Sequence, residues 1–555
     1  QAVADRAPEL FPYCYSAYSQ PSVLFYGQYT ILSQEGPQQG DPIGPLLFCN
    51  SIHPLLASLI SVLKLGYMDD LTLGGSHAAV ASDVQLVMKV GAELGLHLNI
   101  SKCELISHPG CDITDPTLLS FIQIPVSNAT LLGAPLFPGS LLDEAWSTRC
   151  EDLSRAVDRL SLLGSQDALI LLRASFSAPR VQHLLRCSPS SDIQGLQTFD
   201  SLLRSAISRI TNSNLSDMQW LQASMPIKQG GLGVRRVSSL ASPAFLASAA
   251  STLSLQERIL ASHACPMDTY LELYLSSWSS VYGVIPAEPL PGKQSFWDKP
   301  VLQTDRVLIE ASFVEPSQQA RFMAVTAPHA GDWLLALPIA SCGLRLDDEA
   351  VRVAVGLRLG LDLCIPHACR CGAQVDAQGL HSFVCKKAPG RTIRHHTLND
   401  IVWRAFSAAG IPATKEPLGL VRQDGKRPDG LTLIPWQGGK PLTWDVTVVS
   451  TLASSYVGTA SRGAGSVAEL AATRKSSKYT DLSRDYIFQP IAFENLGPLN
   501  ISAMNFFNEL GGRLAGCSGE VREASFLFQR ISVAIQRFNS VLLHDTFPVN
   551  DDPDQ

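Results

Sequence analysis

Residues 141–163, LLDEAWSTRCEDLSRAVDRLSLL, repeat apolar side chains every three or four positions, with Arg, Asp and Glu between them. That spacing lays one apolar stripe along a helix, and the pattern continues to about Leu260. An all-α domain is expected there. Its closing stretch ends in a Pro- and Gly-rich run at 285–292, which predicts a linker. A further helix is predicted from an N-cap at Asp347 or Asp348 through EAVRVAVGLRLG to Gly360. Residues 1–136 mix short strands with helices. Residues 397–548 read as a helix (TLNDIVWRAFSAAG), two strands, a helix, more strands and a closing helix from about Val521.

Within that last region, KRPDGLTLIPWQGGKPLTWDVTVVS predicts a β-hairpin with strands LTLI and LTWDVTVV joined through a Gly438-Gly439 turn. Period two puts Trp444, Val446 and Val448 on one face, and Asp445 and Thr447 on the other. Asp429 and Asp445 could then lie side by side. A carboxylate inside so apolar a strand needs a partner, and a metal would serve. Further on, SVAELAATRKSSKYTDL predicts a helix opened by a capping box, Ser466 with Glu469. Helical spacing puts Arg474, Lys475 and Lys478 on its neighbouring turns.

At 555 residues the chain exceeds one core, and three or four domains are expected. Its 46% hydrophobic and 17% charged residues exclude a disordered chain, and no apolar run approaches a membrane span. No signal peptide is evident. The start at Gln1, without Met, reads as a cut through a longer polypeptide. A net charge of −7 argues against nucleic-acid binding by bulk electrostatics. Local clusters can still bind phosphate: Lys386, Lys387, Arg391 and Arg394 with His395 and His396, then Arg462, Arg474, Lys475 and Lys478. Most of the 13 cysteines are isolated, which suits reduced thiols in an intracellular protein. Cys364, Cys369, Cys371 and Cys385 cluster, which points to metal.

Residues 66–75, GYMDDLTLGG, set two carboxylates at the tip of what reads as a buried hairpin. An oxygen-rich site of this kind holds Mg²⁺ against phosphate. Three more segments accompany it: QEGPQQGDPIGPLLFCNSI from Gln34, GLHLNISKCELI from Gly95, and the short hairpin signal LLGAPL at 131–136. In this order and spacing the four segments resemble palm motifs B to E of non-LTR retrotransposon reverse transcriptases. The resemblance implies that Asp69 and Asp70 bind Mg²⁺ (or Mn²⁺), with Tyr67 and Met68 at the primer terminus. It implies that Gln39, Gly40, Asp41 and Pro42 contact template and incoming nucleotide, and that Lys102 assists the leaving pyrophosphate. The family's other metal-bridging aspartate, in motif A, has no counterpart here, since Asp5 reads as helical. This chain alone is therefore expected to lack polymerase activity.

In CIPHACRCGAQVDAQGLHSFVC, Cys369, Cys371, His381 and Cys385 supply three thiolates and an imidazole, enough for a closed tetrahedral Zn²⁺ site. Cys364 and His367 are alternative ligands. The segment resembles the CCHC knuckle of retrotransposons that carry a restriction-like endonuclease, and the basic RTIRHH after it strengthens the likeness. For Arg391, Arg394, His395 and His396 that likeness implies nucleic-acid binding; for the two histidines catalytic and structural roles also stay open.

The hairpin aspartates resemble the PD…(D/E)xK arrangement of restriction-like nucleases, with Thr447 where a lysine is expected. In this retrotransposon class a helix-borne lysine commonly replaces it, and Lys478-Tyr479 resembles that pair, with Lys475 the other candidate. Asp429 and Asp445 would hold Mg²⁺, Glu416 would assist, and the lysine would orient or activate water.

The expected fold is multidomain α+β. A partial reverse transcriptase palm, an antiparallel sheet with helices, spans 1–136, and a helical thumb-like domain 137–284. A linker and helical region spans 285–362, a zinc knuckle with its basic segment 363–396, an α/β restriction-like nuclease 397–548, and a tail 549–555. The implied activity is target-primed reverse transcription: nicking target double-stranded DNA, then extending the nick from deoxynucleoside triphosphates on an RNA template. No membrane partner is expected, and the implied location is the nucleus. The alternative is a decayed or domesticated copy that binds nucleic acid without catalysis.

Overall fold

The computed structural model describes residues 2–34, 36–38, 40–108, 110–191, 193–260, 268–287, 289–421 and 425–547. The chain forms two compact units. One comprises Gln1–Gly139, Ser248–Ser277 and Ile285–Gly292, and the other Ser140–Ala247, Trp278–Val284 and Lys293–Gln555. Among the described residues no helix is long and apolar enough to cross a membrane. The fold is mixed α/β with small sheets, as the multidomain α+β reading expects.

The first unit is built from two-stranded pieces. Ser22–Tyr26 pairs antiparallel with Tyr29–Ser33, and Leu63–Tyr67 with Asp70–Gly74. LLGAPL forms a hairpin in which Leu131 pairs with Ala134. The helix His77–Glu93 packs Ala81 and Val84 with Leu118 into a small core.

In the second unit, the helix Ser140–Leu160 buries the stripe Leu142, Trp146, Cys150, Leu153, Val157 and Leu160 against Gln194–Ile210. Trp146 meets Phe199 edge-on at 6.1 Å. The same core takes in Val351, Ala354 and Val355 of the helix Asp348–Leu359. Asp347 caps that helix, accepting the Ala350 N–H at 2.7 Å, and Gly360 ends it.

The site rests on a four-stranded sheet in the order Ala413–Lys415, Gly430–Thr432, Leu442–Val449, Ile487–Glu494. The first two pairings are antiparallel and the last is parallel. Parallel neighbours need a crossover, and the helix Ser466–Lys478 supplies it. Gln437 and Lys440 close a two-residue turn in which Gly438 and Gly439 have φ of 57° and 77°. Positive φ at both positions is what a type I′ hairpin demands.

Alternation along Leu442–Val449 decides what each face meets. Trp444 and Val446 join Phe406, Phe493 and Phe507 in the core under the helix Gly390–Ala408. Asp445 faces the crossover helix, whose Ala468, Ala471 and Ala472 pack with Ala492. The closing helix Glu523–His544 is buried along most of its length. Val533 lies in the helical core, Phe528 and Ile531 under the sheet, and Leu542 and Leu543 beneath the cysteine cluster.

Candidate functional site

Asp429 leads into its short strand with main-chain bonds on both sides: its N–H donates to the Trp444 carbonyl at 2.9 Å and its carbonyl accepts the Glu416 N–H at 3.0 Å. The next residue is Gly430, directly opposite Trp444. A Cβ at Gly430 would sit 2.0 Å from Trp444 Cζ2, so only glycine leaves room for the indole. Asn399 pins the indole, accepting Trp444 Nε1–H at 2.8 Å and donating Nδ2–H to the Asp429 carbonyl at 3.1 Å. One helical turn earlier, His395 Nε2 lies 3.0 Å from Asp429 Oδ2, which also accepts the Val446 N–H at 2.6 Å.

Across the cleft, Lys475 Nζ donates to Asp445 Oδ1 at 2.5 Å, and the Asp445 side chain is only 4% exposed. Lys478 donates to the Tyr479 hydroxyl at 3.0 Å, and that hydroxyl donates to the Arg427 carbonyl at 2.9 Å. Arg427 also pairs with Glu416, which holds a left-handed φ of 49°. These groups, with Lys426 and Pro428, line a cleft of about 280 Å³. Burial, then the neighbouring Asp429 charge, pushes the Asp445 carboxyl above its ordinary pKa, and Lys475 opposes both. Hydrogen bonding to Asp429 raises the pKa of His395 against the effect of its burial.

His395, Asp429 and Asp445 offer donor atoms within 4.8 Å of one another. Two carboxylates and an imidazole fit a divalent ion that keeps water or phosphate at its remaining positions.

The second cluster is Cys369, Cys371, His381 and Cys385, also within 4.8 Å. A small hairpin, His367–Ala368 with Gln374–Val375, turns the first two cysteines toward His381 and Cys385. Cys369 and Cys385 sulfurs are 3.8 Å apart, and Cys371 Sγ is 3.1 Å from His381 Nε2. A tetrahedron of ~2.3 Å Zn–S bonds has S···S edges of about 3.8 Å, so the donor set fits Zn²⁺. Burial pushes the Cys369 thiol up to about 11, while the Ala373 N–H draws Cys371 down to about 6. His367 instead bonds the Ile365 carbonyl and Thr546, and Cys364 the Asp376 carbonyl, so neither belongs to the four.

In the first unit, Tyr67 pairs with Asp70 and the turn is Met68-Asp69, with Met68 at φ 57°. The buried hairpin read from the sequence is corrected here: Asp69, Asp70 and Tyr67 are exposed, because among the described residues the sheet has two strands and no third covers its tip. An exposed carboxylate pair still suits Mg²⁺, which takes its other ligands from water and substrate phosphate. Asp41 accepts the Tyr18 hydroxyl and the Ile43 N–H at the start of the helix Gly44–Ser58. Tyr18 chiefly lowers its pKa. Gly40 has φ 93° with open space beside it, and Pro42 follows Asp41. Gln39 lies outside the described residues. Lys102 ends the exposed turn Ile100–Lys102.

Residues 8–136 match the reverse transcriptase (RNA-dependent DNA polymerase) family model. The match covers roughly the first quarter of the chain. It contains Gly40, Asp41, Asp69, Asp70 and Lys102, and supports RNA-directed DNA polymerase activity with RNA template and deoxynucleotide substrates. Mg²⁺ or Mn²⁺ is the metal typical of that family. No curated protein matches the chain.

Beyond the reverse transcriptase match, the structure brings together Glu416, Asp429, Asp445, Lys475 and Lys478 around one cleft. Lys475 rather than Lys478 reaches Asp445, since it lies nearer the middle of the crossover helix. Three local expectations are corrected. The helix expected from Thr397 begins at Gly390, so RTIRHH forms its first turns. Arg394 is buried, with burial lowering its pKa to about 10, so it is not presented to a nucleic acid, while the half-buried Arg391 bonds the Val384 and Cys385 carbonyls. The Ser466–Glu469 capping box does not form: Gly465 is the N-cap, Ser466 bonds the Thr459 carbonyl, and Glu469 turns to the Ile501 N–H. Of the two histidines, His396 is exposed and His395 joins the carboxylates. Extending the helix back to Gly390 puts His395 and Asn399 one turn apart on one face, the signal that could have linked them.

Proposed function

We propose that this chain carries the nuclease, and palm motifs B to E of the RNA-directed DNA polymerase, of a non-LTR retrotransposon protein of the class with a restriction-like nuclease. In this reading it nicks double-stranded target DNA in the nucleus and primes cDNA synthesis from the nick. The observation that carries the nuclease half is the joining of Asp429, Asp445 and Lys475 in one cleft. An order of helix, three strands, crossover helix and strand brings them there from three elements. The polymerase half rests on the family match at 8–136.

Asp429 and Asp445 would hold a divalent ion, which when bound polarises a phosphate oxygen and acidifies water. The protein's own groups do the remainder. Lys475 neutralises the buried Asp445 and presents an ammonium at the cleft, where it orients water or steadies the departing oxyanion. Lys426, Arg427 and Lys478 make the cleft wall cationic for a phosphate backbone. Cys369, Cys371, His381 and Cys385 would hold structural Zn²⁺, tying the hairpin to the start of the His395 helix.

The test is Mg²⁺-dependent nicking of double-stranded DNA by the full chain, compared with Asp429→Ala and Asp445→Ala. Both variants are expected to lose nicking while retaining the fold. Undiminished nicking in both refutes the assignment. DNA binding by the parent chain without nicking would favour the decayed, non-catalytic copy.

A further inference from the structure

We propose that His395 is a third ligand of the nuclease ion, making the centre a mixed nitrogen–oxygen site that favours Mn²⁺ over Mg²⁺ and Ca²⁺. The proposal rests on the nuclease reading of Asp429 and Asp445 and adds an imidazole to it.

The position of His395 is built into the fold. Asn399 locks its helix to both the Asp429 carbonyl and the Trp444 indole. At the helix start the Gly390 N–H donates to Asp545 Oδ2 at 2.9 Å, holding that end against the closing helix. The Val446 N–H occupies one lone pair of Asp429 Oδ2, and His395 Nε2 approaches the same oxygen from 3.0 Å. The second lone pair of that oxygen meets the Nε2 proton when no ion is present, and a cation that displaces this proton to solvent takes both that lone pair and the Nε2 lone pair. Neighbouring donors around an octahedral ion with ~2.1 Å bonds stand about 3.0 Å apart, which matches this separation. Asp445 lies within the same 4.8 Å. Lys475 takes Asp445 Oδ1, which neutralises one carboxylate and limits the charge left to bind an ion.

The donor set then decides selectivity. Mg²⁺ and Ca²⁺ take oxygen ligands, whereas an imidazole adds affinity for first-row transition ions. Mn²⁺ is the member of that series that also suits carboxylate and water.

Mn²⁺ added to the zinc-loaded full chain is read by electron spin-echo modulation, which detects a directly bound imidazole nitrogen, and by equilibrium titration. The wild-type protein is expected to show the nitrogen signal. His395→Gln should lose it and bind Mn²⁺ on the order of 10–100-fold more weakly, with a smaller loss for Mg²⁺. A wild-type protein that binds Mn²⁺ through Asp445, as shown by loss in Asp445→Asn, but gives no nitrogen signal overturns the proposal and leaves the nuclease reading standing. A signal that survives His395→Gln also overturns it. A nitrogen signal without DNA nicking upholds the ligand and sinks the nuclease reading instead.

Discussion

Lys475→Met keeps most of the side-chain volume while removing the charge beside Asp445, and its cost follows from the burial of that pair. Lys475 Nζ sits 2.5 Å from a carboxylate that is 4% exposed, and Lys475 itself is 25% exposed. At an effective dielectric of about 20, unit charges this close attract by roughly 7 kcal/mol. Desolvation offsets part of that, and removing one partner of a buried pair typically costs about 3–5 kcal/mol. We expect a loss of about that size at pH 8. Burial and Asp429 already hold the Asp445 pKa above its ordinary value, and the variant raises it further. The native variant then binds a proton that the unfolded chain releases, so its stability falls as pH rises above the unfolded value near 3.8. The loss should accordingly shrink at pH 5. Urea unfolding followed by tryptophan emission reports on it, because buried Trp444 adjoins Asp445. Lys475→Met with Asp445→Asn should recover most of the stability. A loss under about 1 kcal/mol at pH 8, an equal loss at pH 5, or no recovery in the double variant refutes the reasoning.

Glu494 is buried, accepts the Thr451 hydroxyl and the Ala468 N–H, and has its pKa raised, chiefly by burial. The native state therefore holds its proton more tightly, and stability falls as pH rises from about 4.5 through the folded value. Glu494→Gln should reduce the slope of urea midpoints taken from pH 4 to pH 8, leaving the part that buried Asp445 contributes; an unchanged slope would contradict the burial argument. For the cysteine cluster, one zinc per chain is expected by elemental analysis, falling to none in Cys385→Ser. Because metal binding contributes directly to folding, protease should then cut 363–388 first, and equal zinc in parent and variant rules the site out.

Much of the site was legible because it depends on short spacings. Two adjacent glycines specify the turn at 438–439, since both positions need positive φ. Alternation along Leu442–Val449 by itself separates Trp444 from Asp445. The C-x-C, His and Cys spacing isolated four side chains whose donor atoms converge within 4.8 Å. Asp347 or Asp348 and Gly360 bounded a helix by their capping chemistry, and the structure makes Asp347 the cap.

What the sequence determined by itself, then, is local: the order and type of the main elements around the site, the glycine turn at 438–439, and the alternation of faces along Leu442–Val449, while the start of the helix at Gly390 escaped it. The tertiary structure decided what those faces meet. Lys475 rather than Lys478 finds Asp445 because the crossover helix lies at a particular height over two parallel strands. His395 reaches Asp429 across 34 residues because Asn399 and Trp444 fix the packing of helix on sheet, while Arg394, beside it in sequence, is turned inward. Asp69 and Asp70 emerge at an exposed tip because their sheet has two strands. Backbone periodicity repeats over a few residues and can be read from spacing. Convergence of side chains from separate elements depends on sheet order, register and helix placement, which long-range packing sets.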